Sequence, residues 1–174
     1  MLSKTRALLR VSALTLSLVA ASAGPSPAFE RPEIHFDDRI WKVGYEVARE
    51  NQIMVEFILE NETIDHWTEL VTTQFFKNLQ QKTSLENYLA STKKSIQERC
   101  ASLQWNVVRS TKSDVIYEWS VSGCAGVADQ SEIARVIKGA EGIHVLHYAI
   151  RAPALPSKKR KEWLALLTQA RLLT

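Results

Sequence analysis

The sequence predicts an α+β fold, a single twisted, mostly antiparallel sheet of about six or seven strands with two main helices packed on it. Three observations carry that expectation. Short segments with β-type alternation or β-branched and aromatic enrichment recur along the chain, joined mostly by polar or glycine-bearing turns. Only two segments repeat apolar residues at helical spacing. No strand–helix alternation runs through the chain, so nothing demands a parallel sheet.

Each element has its own signal. Residues 29–38 contain Pro32 and mixed charges and read as an extended lead-in. Residues 38–49 and 52–60 read as two strands about Glu50-Asn51; in the second, Ile53, Val55, Phe57 and Leu59 alternate with side chains of the other face. A tight two-residue turn would place Gly44 across from Phe57, a ring covering a gap. Residues 68–76 (TELVTTQFF) form a third strand entered by a turn over 61–67, with a helix from Asp65 as the competing reading. Thr83 and Glu86 have capping-box spacing, and Leu85, Tyr88, Leu89, Thr92 and Ile96 follow with helical period up to Cys100. Strands then return at 103–110, 115–122, 131–138 and 142–151, the last two joined by a Gly139–Gly142 hairpin turn. After Pro153 and Pro156, Ser157 is expected to cap a final helix with Trp163, Leu166, Leu167, Ala170 and Leu173 on one face.

The start of the chain sets the compartment. Lys4, Arg6 and Arg10 precede an uncharged apolar run over 11–20, and small residues at 21–23 and 26–28 offer peptidase sites. This is the layout of a secretory signal peptide over 1–28, cut after Ala28 or after Ala23, leaving one domain over 29–174. The run is too short to anchor in a bilayer, and no later stretch reaches membrane-spanning length. The expected location is the periplasm, with secretion as the alternative. Removing three leader cations leaves nineteen basic against nineteen acidic residues. A nucleic-acid partner therefore loses its electrostatic support.

Cys100 and Cys124 are the only cysteines. Neither lies near the cleavage region, which excludes a lipid-modified N-terminal cysteine. An even pair in an oxidising compartment reads as a disulfide from helix end to strand end. Closing a loop of that length stabilises the fold by roughly 3 kcal/mol. Redox or metal roles would need a CxxC spacing or neighbouring histidines, and neither is present.

The phrase Glu62-Thr63-Ile64-Asp65-His66-Trp67-Thr68-Glu69-Leu70-Val71-Thr72 ahead of the cysteine pair resembles small exported bacterial proteins of unknown role. Their element order is similar to the PsbP-like α/β/α sandwich. That resemblance implies an accessory or binding protein and brings no catalytic residues or cofactor with it.

The residues themselves carry no enzyme signature. His144 and His147 lie three apart in one strand and leave on opposite faces, so they cannot make a two-ligand metal site. His66 beside Asp65 could pair a base with its orienter, and a pocket joining His66 to Glu69 would favour an enzyme. The turn at 122–126 (SGCAG) lacks a nucleophile-elbow pattern, and no phosphate loop, HExxH or calcium loop occurs. No catalytic residue, metal ligand or cofactor is assigned. Most of the five tryptophans should be core, with Trp41 and Trp105 as potential stacking surfaces and Trp67, beside a polar turn, as the candidate exposed aromatic. Lys158, Lys159, Arg160 and Lys161 crowd the first turn of the last helix, where the macrodipole favours negative charge. They form a candidate docking patch for an anionic surface or a periplasmic protein, against the plainer reading of a solvated helix start. The functional expectation is an exported binding or accessory protein. A hydrolase with a site assembled from distant residues and a surface factor docking through the basic turn are the alternatives.

Overall fold

The structure, a computed structural model, describes residues 30–173. The expected leader over 1–28 and both cleavage positions lie outside the described residues. A short strand β1 (Arg31–Glu33) leads into a three-stranded meander of β2 (Trp41–Arg49), β3 (Gln52–Leu59) and β4 (Glu69–Lys77). Helix α1 (Leu85–Arg99) then carries the chain to the far edge of the sheet. There β5 (Gln104–Ser110), β6 (Asp114–Val121), β7 (Gln130–Lys138) and β8 (Gly142–Ile150) form a second meander running back inward. Helix α2 (Ser157–Gln169) and strand β9 (Arg171–Leu173) complete the chain. The β4–β8 pair joins the two meanders into one seven-stranded sheet of order β2-β3-β4-β8-β7-β6-β5, antiparallel at every neighbour.

The expected class and the seven main strands are present, with four local departures. Leu173 does not continue the last helix: Ala170 turns to extended backbone, and β9 pairs antiparallel with β1, giving the lead-in a partner. The competing helix at Asp65 is a single 3-10 turn over Ile64–His66, and β4 follows as a strand. Gly44 does not face Phe57. The register shifts between Val43 and Tyr45, Val43 takes Phe57 as partner, and Gly44 lies against Ile58, whose Cδ1 would sit 3.0 Å from an added Cβ. The caps also move. Ser84, not Thr83, caps α1 by accepting the Asn87 amide at 3.2 Å, and α2 starts at Ser157 after Pro156 with no side-chain cap.

Parity along the strands assigns the layers. Trp163 and Leu167 of α2 and Ala170 just past its end pack on one face against Val71, Ile116, Ile133, Leu146 and Tyr148, with the Trp163 and Tyr148 rings stacked at 4.1 Å. Leu85 of α1 packs on the opposite face with Val115, Tyr117, Ala134, Val136, Ile143 and Val145. The order is therefore helix, sheet, helix. Arg135 in β7 closes the end of α2 by donating to the carbonyls of Leu167, Thr168 and Ala170 at 2.7, 3.1 and 2.5 Å, which meets acceptors the helix leaves open.

The two helices differ in how they sit. Only Leu85 and Ile96 of α1 are fully buried. Those anchors are eleven residues apart, about 16 Å along the axis. Beyond them Cys100 and Cys124 are bonded, their Cα atoms 5.5 Å apart, and Cys100 packs with Ile96 and Val121. This is the expected staple from helix to sheet. Tyr88 and Leu89 add partly buried contacts to the same face, and a hollow lies beneath the turns that carry Ser91, Thr92 and Ser95. No helix among the described residues is long and apolar enough to cross a membrane.

Candidate functional site beneath helix α1

One row of side chains crosses the α1 face of the sheet. Register pairs Tyr45 with Glu56, Glu56 with Thr72, Thr72 with His147, His147 with Ala134, and Ala134 with Tyr117. Ala134 is the small member, fully buried between two large ones. His147 and Tyr117 are two strand spacings apart, about 10 Å between backbones.

The groove encloses about 420 Å³, within the range of small-molecule sites. Its floor is Gln74, Tyr117, Trp119, Glu132 and His147, and its wall is the α1 side with Ser91, Thr92, Ser95 and Arg99. Glu132, two residues before Ala134 on the same face, sits 2.6 Å from His147 Nδ1. The same carboxylate oxygen accepts from Trp119 Nε1 at 3.1 Å, and its other oxygen from Gln130 at 3.4 Å. A carboxylate facing Nδ1 places a proton on that nitrogen and leaves Nε2 as the ring's open hydrogen-bonding atom. Nε2 is buried and has no hydrogen-bond partner among the described residues, and the same holds for the Tyr117 hydroxyl. Burial pushes the Tyr117 phenol well above its ordinary range, with Glu132 and Tyr88 adding to the shift. Tyr88 is pushed up to about 12, again mainly by burial. Both are therefore neutral donors at physiological pH. Burial also raises the Glu56 carboxyl, and His147 opposes that shift.

Two buried polar atoms without partners, on residues that line one groove, are what a polar ligand needs. A second hollow of about 300 Å³ at the β5–β6 edge is different. Its Glu118 already accepts from Asn106 at 2.9 Å and from Arg160 at 2.7 Å. Among the described residues no group of three or more potential ligands could hold a metal ion.

The residues singled out from sequence fall elsewhere. Lys159 Nζ lies 2.6 Å from Glu69, and Arg160 pairs with Glu118, while Lys158 and Lys161 stay exposed. Half of the basic cluster is thus turned onto sheet carboxylates, which offsets its unfavourable place at a helix start. Trp67 is half-buried against Ile58, Leu70 and Ala149, with the Arg151 guanidinium 4.6 Å over its ring. His66 is exposed in its 3-10 turn, and Glu69 is engaged apart from it. Glu69 accepts from Arg39 at 2.8 and 2.6 Å, Lys159 at 2.6 Å and Tyr148 at 2.5 Å. Burial resists its charge, but those donors hold its carboxyl down to about 2. Trp41 packs edge-on to Trp163 at 5.6 Å, and Trp105 stacks on Tyr117 at 4.5 Å.

His144 and His147 do leave on opposite faces. His144, fully buried, stacks on Phe75 at 4.7 Å and meets Glu30 at 3.2 Å. Burial lowers the His144 imidazole, so the ring is neutral and Nε2 donates. Burial works against the Glu30 charge too, yet the Glu141 and Ala140 amides and His144 hold its carboxyl below the ordinary value. This clasp fastens the lead-in to the β7–β8 turn. Sequence reasoning missed Glu132, Ala134 and Tyr117 as a set. The available signal was an acidic residue inside an otherwise apolar strand.

A family model matches residues 29–172, most of the chain, and the family is one of uncharacterised proteins. No curated protein and no solved structure matches the chain. The match does not confirm the PsbP-like resemblance.

Proposed function

The chain belongs to this recognised family of uncharacterised proteins, and we propose from its own site that it is an exported binding protein whose ligand occupies the groove beneath α1. One observation carries the reading. His147 Nε2 and the Tyr117 hydroxyl are buried in the groove wall without partners among the described residues. Leaving both unpaired costs about 1–3 kcal/mol each, and a bound polar molecule would recover that cost. Export is supported by the leader pattern and by a cysteine pair at bonding distance. The basic helix start speaks for binding over surface docking, since Lys159 and Arg160 are engaged internally.

The Glu132–His147 geometry is also that of a base and its orienter. A second reading is acid–base chemistry on the bound ligand. Among the described residues no serine or cysteine pairs with Nε2, so the structure offers this reading no side-chain nucleophile at His147.

The test is NMR mapping of a polar fragment library on the purified chain. Binding in the groove should shift the amides of residues 91–99 and the His147 imidazole, and Tyr117→Phe should weaken it without loss of stability. Shifts confined to the start of α2 would favour docking instead, and a library without a single groove binder would sink the proposal. Edman or mass analysis of the periplasmic fraction should find a chain starting at Phe29.

A further inference from the structure

Resting on the groove reading above, we propose that the ligand is a small hydroxycarboxylate, a carbon chain bearing hydroxyl groups and one carboxylate. The groove's polar groups dictate this class one by one. His147 Nε2, the ring's open nitrogen with Glu132 on the opposite one, pairs with a ligand hydroxyl. The Tyr117 hydroxyl, held protonated, gives its hydrogen to a ligand oxygen. A hydroxyl group can satisfy each in turn, because it both donates and accepts.

Charge narrows the choice further. Arg99, in the last turn of α1, lines the groove and forms no ion pair among the described residues; its only side-chain bond is from Nε to the Ser95 carbonyl at 3.2 Å. Its two terminal nitrogens are free to take a carboxylate at the groove mouth. The one carboxylate lining the groove, Glu132, is already filled by His147, Trp119 and Gln130. A cationic ligand would find no open anion there, and an anionic one finds an open cation. Ser91 and Ser95 add exposed hydroxyls along the wall, while Tyr88, Ile96 and Trp119 supply apolar surface for a carbon skeleton. A single guanidinium matches one negative charge, which favours carboxylate over a phosphate dianion.

Three six-carbon probes separate the parts: gluconate with hydroxyls and carboxylate, hexanoate with the carboxylate alone, and sorbitol with hydroxyls alone. Each is titrated into the purified chain, with groove amides and the His147 imidazole followed by NMR. Gluconate should bind in the groove about tenfold or more tightly than either other probe, the effect of one charge-assisted hydrogen bond. Arg99→Gln should reduce gluconate affinity about tenfold and leave the weak sorbitol binding unchanged. Tyr117→Phe should weaken gluconate and sorbitol and spare hexanoate. Hexanoate or sorbitol matching gluconate, an Arg99→Gln variant binding gluconate normally, or gluconate failing to reach the groove would each overturn the ligand class. The groove reading survives if sorbitol, hexanoate or a library fragment still binds there, and falls with the ligand class if nothing does.

Discussion

Glu69 anchors the best-connected ion network in the described structure, and replacing it by Gln tests how much that network stabilises the fold. The substitution keeps the shape of the side chain and mimics its protonated form. It removes the charge facing Arg39 and Lys159 and leaves the buried Tyr148 hydroxyl with a weaker acceptor. A carboxyl held at about 2 against its ordinary 4.5 corresponds to about 3 kcal/mol of folding stability at neutral pH. Arg39 and Lys159 are 35% and 32% exposed, so solvent screening trims the expectation to about 2 kcal/mol. The sign follows from linkage. A carboxyl depressed by folding stabilises above its unfolded value, and that contribution fades as pH falls from about 4.5 toward about 2. Urea unfolding of the parent and Glu69→Gln at pH 7 and pH 3 gives both numbers. The variant should be about 2 kcal/mol less stable at pH 7, and the gap should shrink to below about 1 at pH 3. A gap that does not change with pH, or one under about 0.5 kcal/mol at pH 7, would refute the account.

Two further expectations follow from the placement of charges and sulfurs. Replacing Cys100 and Cys124 together by Ser should cost about 3 kcal/mol through lost loop closure over a separation of 24 residues, and hydrogen exchange should quicken at the C-terminal end of α1 before it does in α2; a melting temperature indifferent to the pair would remove the staple. Within the basic cluster, Lys158→Gln and Lys161→Gln should leave thermal stability unchanged or slightly raised, because both face solvent at a positive helix start. Lys159→Gln and Arg160→Gln should instead lower stability by about 0.5–1 kcal/mol each, having carboxylate partners at 2.6 and 2.7 Å; equal effects at all four positions would contradict the split.

The fold was legible because its signals are local. Alternation in 52–60 and 115–122, helical spacing after Leu85 and the glycine-bounded turn at 139–142 each sit within one element. What failed was whatever depends on two distant segments. The bulge at Gly44 needs Ile58 on the neighbouring strand, and the β9 strand needs the lead-in of β1 to pair with, so Leu173 alone looked like one more turn of helix. The basic cluster misled for the same reason. Lys159 and Arg160 find partners 90 and 42 residues earlier in the chain, and no local rule reveals Glu69 or Glu118 beneath them. The candidate site also depends on pairing. His147, Glu132, Ala134 and Tyr117 come from three consecutive strands of the second meander, and their alignment follows from hairpin registers that no pattern within a single strand reveals.

That register also gives the two faces of one sheet different packing. On the α2 face, stacked rings and paired charges fill the space: Trp163 lies on Tyr148, Arg135 closes the helix end, and Glu69 has three donor residues. On the α1 face the helix is fixed at Leu85, Ile96 and the disulfide, with Tyr88 and Leu89 packed between, and Ser91, Thr92 and Ser95 border an open groove. Filling that gap with a larger side chain would bury more apolar area and give α1 a continuous seat. The sequence instead places Ser91, Thr92 and Ser95 on the helix and two unpaired polar atoms below it. A packing optimum would not leave a buried hydroxyl and a buried imidazole nitrogen open within one groove. Trp163 Nε1 and His144 Nδ1 are also without partners on the α2 face; what sets the α1 face apart is that two such atoms belong to residues lining one groove beside a free arginine, which is the physical reason for the proposed site.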